Sequence, residues 1–449
     1  MDTPICDFVR DYAQSNTLRL HMPGHKGDGS LGFEQLDITE IHGADSLYEA
    51  DGIIAQSEAN AGALFGCETF YSTEGSSQCI RAMLYLAMLH AKQHGKTPRI
   101  AAFRNVHKTF LSAVALLDLD VLWLYPEQTE SYLSCALSGV QLDEILRIAE
   151  EKPSAIYLTA PDYLGLLPDI GEIARVCHAH DVLLLVDNAH GAYLRFLPQS
   201  LHPIDLGVDL CCSSAHKTLP VLTGGAYLHL ASAVAGELRG WTKDALALFG
   251  STSPSYLILQ SLDAANRYLA DYPERLSAFL PKVQELKRQL TNHGYELYGS
   301  EPLKLTIATK SYGYTGEELA DILEQKQMVC EFADPDYLVL MLTPEIGGAG
   351  LQKLEKVLLA VERKSSIEVQ APAVVRGEWV LSVREALFAP AEAVPVESCE
   401  GRILAAATVG CPPAVPILVC GERITKDAMK CFAYYGIKTC SVVCKADEM

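Results

Sequence analysis

The sequence predicts an α/β fold: an open, mostly parallel central sheet with helices on both faces, followed by smaller α+β domains toward the C-terminus. Three observations predict it. Residues 100–103, 121–124, 155–159 and 182–186 are short, apolar and partly β-branched, the signature of strands buried on both faces. Helical patterns lie between them, which gives the βαβ rhythm of a parallel sheet. After Ser261 the texture changes to long helices and a few isolated strands.

The helix after the first glycine-serine cluster starts near Ser77, with Ile80, Met83, Leu84, Ala87 and Met88 spaced to share one face. Ser76 or Ser77 is expected to cap it, and Gly95 with Pro98 to stop it. A second helix is expected over 170–180, leading into the strand at 182. Farther on, 262–294 reads as long helices broken at Tyr272-Pro273, and 303–307 and 338–342 read as strands around a helix at 316–325. Residues 369–375 read as a linker or an edge strand, and 379–443 carry strand and turn signals of their own.

The chain has 449 residues, 49% of them hydrophobic and 20% charged. Such a composition supports two or three folded domains with a large core. The formal charge of −20, from 56 acidic and 36 basic residues, disfavours nucleic acid and anionic membranes as partners and mildly favours cationic substrates. The 14 cysteines form no C-x-x-C pair. With no apolar leader at Met1–Tyr12 and no apolar run of membrane-spanning length, a reducing, cytoplasmic setting is expected. No complete metal-ligand set is expected, since the His21/His25 and His178/His180 pairs lack further ligands.

Open parallel sheets bind ligands beyond the carboxyl ends of their strands, so the polar residues there matter most. Lys217, in Ser213-Ser-Ala-His-Lys-Thr218, follows an apolar stretch. A partly desolvated lysine amine is a nucleophile toward carbonyls, and the plain alternative is a surface lysine after a strand. Asp187 ends the strand at 182–186. A carboxylate there can pair with a protonated pyridine nitrogen, or it is a loop aspartate. Glu74-Gly-Ser-Ser77 precedes a helix, and backbone N–H groups at a helix N-terminus attract phosphate. His107 follows the strand at 100–103 and suits stacking on a flat ring or a loop role.

Taken in order, these pieces resemble one family. They are His21-Met-Pro-Gly-His-Lys-Gly27, Glu74-Gly-Ser-Ser77, Arg104-Asn-Val-His-Lys108, Ala160-Pro-Asp-Tyr-Leu-Gly165, Asp187-Asn-Ala-His190, Ser214-Ala-His-Lys217, Ser251-Thr-Ser-Pro-Ser-Tyr256, Pro412-Pro-Ala-Val-Pro416 and Gly421-Glu-Arg423. The chain resembles the Orn/Lys/Arg decarboxylases in their short bacterial form, with the fold type I (aspartate aminotransferase-like) architecture of pyridoxal-phosphate enzymes. The resemblance implies pyridoxal 5′-phosphate carried covalently by Lys217, Asp187 at the pyridine nitrogen and His107 on the ring. It implies Gly75, Ser76, Ser77, Ser214 and His216 around the phosphate, and His190 near the phenolic oxygen or the substrate. Lys217, His216, His107 and Asp187 are the expected catalytic set. Ser251 and Thr252 belong to a loop that reaches the neighbouring subunit's cofactor site, so a homodimer or an oligomer of dimers is implied.

The implied division is an N-terminal arm (1–50), a cofactor domain (51–270), a small α+β domain (271–368) and a C-terminal family domain (369–449). The implied activity is decarboxylation of arginine, lysine or ornithine to the amine and CO2, feeding polyamine metabolism. Alternatives are another reaction of the same fold, such as transamination or elimination, or a non-catalytic relative that binds small molecules. Three departures from the family pattern stand out: Glu74 in place of asparagine, Asn188 in place of an acid, and Gly224 in place of glutamine.

Overall fold

The computed structural model describes residues 1–125, 131–134, 137–373, 377–406 and 415–444. Residues 374–375 of the expected linker and 412–414 of the proline motif lie outside the described residues. The chain divides into two compact units. One holds Met1–Pro98, Asp143–Tyr157 and Ile170–Ser277; the other holds Arg99–Leu142, Leu158–Asp169 and Ala278–Met449.

Seven strands follow one another along the chain: β1 (Glu68–Ser72), β2 (Arg99–Phe103), β3 (Asp120–Leu124), β4 (Ala155–Thr159), β5 (Leu183–Asp187), β6 (Leu210–Ser213) and β7 (Ala226–Leu230). The four strands expected from sequence appear within one residue of their expected bounds. In the first unit the hydrogen-bonded order is β1-β7-β6-β5, and in the second β2 pairs with β3. The β5–β6 and β2–β3 pairs are parallel. β7 runs antiparallel to both β1 and β6.

Helices α1 (Pro4–Gln14), α2 (Ile53–Phe65), α3 (Gly75–Gln93), α4 (Lys108–Leu117), α5 (Gly139–Ile148), α6 (Ile170–Ala179), α7 (Ala215–Thr218), α8 (Ser232–Ala247) and α9 (Tyr256–Leu269) are interleaved with these strands. α3 buries Ala82, Leu86 and Ala91 as well as Ile80, Met83, Leu84 and Ala87. Its apolar face is wider than the expected stripe because it packs against β6 and β7 on one side and α8 on another. Its N-cap is Glu74, which makes no side-chain cap bond. The expected serine cap is therefore corrected: Ser76 and Ser77 lie inside the first turn, where their hydroxyls serve other partners.

A buried polar network ties α2 and α9 to β1. Ser57 Oγ donates to Asp263 Oδ1 at 2.6 Å, and Asn266 Nδ2 donates to Tyr71 Oη at 2.8 Å. Buried polar groups satisfied in this way fix packing geometry that apolar contact alone leaves loose.

In the second unit, β8 (Glu296–Tyr298), β9 (Lys304–Ala308), β10 (Phe332–Ala333) and β11 (Tyr337–Met341) form an antiparallel sheet in the order β10-β11-β9-β8. A helix at Gly316–Glu324 follows a capping box made by Thr315 and Glu318. Glu378–Trp379 pairs with Glu422–Arg423, and Ala391–Pro395 with Thr439–Val443, as two small antiparallel sheets. Arg104, at the end of β2, forms a bidentate ion pair with Glu422 at 2.8 and 2.9 Å, with both side chains buried. Glu422 also accepts from Val419 N at 2.7 Å. This clamp gives the β2 end and the small C-terminal sheet of that unit a common anchor.

Candidate active site

Asp187 is the last residue of β5, opposite Cys212 in the parallel register with β6. Two residues beyond Cys212 the chain turns into α7, which carries Lys217. Adjacent parallel strands thus deliver the carboxylate and the amine to the same edge of the first unit, as their sequence positions suggest.

The Asp187 carboxylate is buried and held by three donors. Tyr157 Oη donates to Oδ2 at 3.1 Å, Ala189 N to Oδ1 at 3.1 Å, and the Cys212 thiol lies 3.6 Å from Oδ1. A carboxylate has about four lone-pair positions, so this arrangement leaves capacity for one more donor. Burial, and then the charge of Asp187, push the Tyr157 hydroxyl well above its usual pKa. The Cys212 thiol is raised for the same two reasons. Both neighbours therefore stay protonated and act as donors. Sequence reading missed Tyr157. Its signal is a tyrosine within a fully buried strand, where the hydroxyl needs a partner.

Lys217 Nζ lies 3.0 Å from His190 Nε2. His190 is buried, three residues beyond Asp187. His216 Nδ1 donates to Gly225 O at 3.0 Å, which fixes its tautomer and leaves Nε2 as the other ring site. Burial holds its pKa below the ordinary histidine value, against the pull of the Gly225 carbonyl.

Ser214 Oγ donates to Ser76 Oγ at 2.8 Å, which joins the residue before α7 to the first turn of α3. Gly75 N donates to Gly224 O at 2.7 Å. Gly224 has φ +102°, and a Cβ there would lie 2.9 Å from Thr73 O. A glutamine at that position is thus excluded by the close approach of the two loops. Gly75 has φ +71° and open space where a Cβ would be, and Glu74 is exposed.

Asn188, the second departure, is fully buried and donates from Nδ2 to Ser213 Oγ at 3.0 Å. A neutral amide suits this place, because an acid would bury a second charge beside Asp187.

These features fit a phosphate-bearing pyridine aldehyde. Two hydroxyls and the N-terminus of a 19-residue helix converge beside an open glycine. A lysine and an organised carboxylate stand at neighbouring strand ends. His107 belongs to the second unit, where its Nδ1 accepts from Thr109 N at 3.2 Å and caps α4. Ser251 and Thr252 are exposed, and among the described residues neither bonds to the Lys217 group. His25, in the P-G-H-K segment, bonds to Asp37 at 3.2 Å. No helix among the described residues is long and apolar enough to cross a membrane.

Residues 3–295 match the Orn/Lys/Arg decarboxylase major domain, and residues 381–440 match the C-terminal domain of the same family. The chain is 31% identical to the uncharacterized protein YaaO of Bacillus subtilis, over 96% of this chain and 93% of that one. It is 28% identical to an arginine decarboxylase of Bacillus subtilis, over 95% and 92%. Among solved structures, the lysine decarboxylase LdcF of Francisella novicida superposes with a TM-score of 0.79 at 16% identity, covering 98% of this chain and 81% of that one. Lysine decarboxylase A of Pseudomonas aeruginosa gives 0.80 at 17%, covering 98% and 80%. The architecture is that of fold type I pyridoxal-phosphate enzymes, and the chain belongs to the Orn/Lys/Arg decarboxylase family.

Proposed function

We propose that this protein is a pyridoxal 5′-phosphate-dependent decarboxylase of a basic amino acid, with arginine the first candidate and lysine and ornithine next. The observation that carries the reading is the pairing of Lys217 with His190 beside the triply held Asp187. When bound, the cofactor supplies an electron sink for the pair released as the substrate's α-carboxylate leaves. Asp187 would hold the proton of the ring nitrogen with its remaining acceptor capacity. Lys217 would anchor the cofactor and give way to the substrate amine, exchanging a proton with His190 across 3.0 Å. His216 Nε2 and Lys217 Nζ are the candidates to return a proton to the α-carbon. Ser76, Ser77 and Ser214 would hold the phosphate with the first turn of α3.

Transamination needs a guanidinium clamp on the α-carboxylate, and two of the three candidate arginines are engaged in ion pairs. Arg104 is committed to Glu422 and Arg195 to Asp205. Arg19 donates to Gln35 O and lies over the Tyr12 ring. The relative named arginine decarboxylase and the acidic charge of −20 support a cationic substrate.

A homodimer is part of the proposal. Leu18, Leu20, Met22 and Leu31 in the N-terminal segment are 77%, 84%, 61% and 70% exposed. Such a run of apolar side chains calls for a cover, and a second copy would also bring Ser251 and Thr252 to the neighbouring site. A cytoplasmic setting, a role in supplying polyamines, and the domain boundaries at 50, 270 and 368 belong to the same proposal.

The test is borohydride trapping of the purified protein followed by peptide mapping, with CO2 and amine measured from each of the three amino acids. A pyridoxyl adduct on Lys217 with amine release supports the reading. An adduct with keto acid as the product moves it to transamination, and no adduct on Lys217 overturns it.

A further inference from the structure

Away from this site, three side chains of the first unit converge on the opposite end of α3. His90 and His94 stand four residues apart and so share one helix face. Glu237, on α8, reaches them both: its Oε2 lies 3.5 Å from His90 Nε2 and 2.8 Å from His94 Nε2. One ligand atom from each of the three lies within 4.8 Å of the others. We propose that His90, His94 and Glu237 form a site for a divalent transition-metal cation of the zinc class, joining α3 to α8.

The geometry suits that ion. Bonds of about 2.0–2.1 Å from zinc to nitrogen and oxygen put tetrahedral ligand atoms about 3.3–3.4 Å apart. The His90–Glu237 separation already matches, and the His94–Glu237 pair opens by about half an ångström with a small side-chain rotation. His94 and Glu237 are 42% and 45% exposed, so an ion has access from solvent, while His90 at 14% is held by packing. Two imidazoles and one carboxylate leave the fourth position for water. The nearby cation, Lys96, is engaged by Asp181 at 2.6 Å, which compensates its charge. The sequence hides this site because Glu237 comes from a different helix, and a histidine pair alone falls short of a ligand set.

The site lies roughly 21–27 Å along the helix from Ser76, at ~1.5 Å per residue, so it would act on the anchoring of α3 and leave the chemistry alone. The experiment takes the holoenzyme, treats it with EDTA, desalts it, and titrates it with Zn2+ by calorimetry and with Co2+ by ligand-field absorption. One saturable site per chain is expected, with a rise in the thermal midpoint on adding Zn2+. His94→Ala and Glu237→Gln should lose both the site and the midpoint shift while keeping wild-type decarboxylation, and Lys92→Ala should change neither. The proposal is overturned if wild type binds no more Zn2+ than the His90→Ala/His94→Ala double variant, which would leave a histidine–glutamate ion pair or adventitious thiol binding.

Discussion

Tyr157 donates its hydroxyl hydrogen to Asp187 Oδ2 at 3.1 Å, from the strand next to the one that carries the aspartate. The pair is fully buried, so the bond orients the carboxylate in a region that water cannot reorganise. Tyr157→Phe removes one donor and keeps the ring. A hydrogen bond to a charged group contributes about 1.5–3 kcal/mol. The expected outcome is a weakening of cofactor binding by about ten- to a hundredfold. Titration of the apoprotein with pyridoxal phosphate, followed by absorbance, measures it, and unchanged affinity would show that Tyr157 is only packing.

Gly224→Ala is expected to open the latch between the loops that carry Gly75 and Gly224. The residue sits at φ +102° and its new methyl would meet Thr73 O at 2.9 Å. Backbone strain of this kind costs about 1–3 kcal/mol. Retention of cofactor through gel filtration should fall together with the thermal midpoint. Gly401→Ala, at φ +75° with open space around it, provides the comparison for backbone strain without the clash.

Glu422→Gln should destabilise the second unit strongly, because it leaves the buried Arg104 guanidinium without its counter-charge. Breaking such a pair costs about 3–5 kcal/mol. Urea unfolding of the single and double variants Glu422→Gln and Arg104→Met/Glu422→Gln distinguishes the ion pair from simple packing: the double variant should recover part of the loss.

Asp334 supplies a pH dependence. Burial, then the negative charges of Asp336 and Glu317, raise its carboxyl to about 7 despite bonds from the Asp336 and Tyr337 N–H groups. An unfolded aspartate ionises near 3.8. Between those values the folded chain holds the proton and the unfolded chain has released it, so this group's contribution to stability falls as pH rises from about 4 to about 7. Above that it stays low. Asp334→Asn should be more stable than wild type at pH 8, with the difference shrinking toward pH 4. Unfolding midpoints across that range would check it, and a constant offset would contradict it.

Much of the strand order was legible in the chain itself. Strands β2, β3, β4 and β5 are short apolar runs bounded by polar turns, a pattern that burial on both faces imposes locally. Lys217, Asp187 and the Gly75–Ser77 turn were legible for the same reason: each sits where a strand or helix begins or ends, and those boundaries are written in neighbouring residues. β1 and β7 were not singled out. Their antiparallel pairing at the sheet edge rests on partners far apart in sequence, which no local pattern records.

By itself the sequence determined the order of elements, the family, and which side chains are available for chemistry, because periodicity and end signals depend on near neighbours. Only the tertiary structure decided what those side chains do to one another. It set Tyr157 on Asp187, His190 on Lys217 and Ser76 on Ser214, made glycine obligatory at 224, and brought Glu237 to a histidine pair on another helix. These relations depend on distances through space between residues remote along the chain, and burial turns small differences in those distances into large differences in energy.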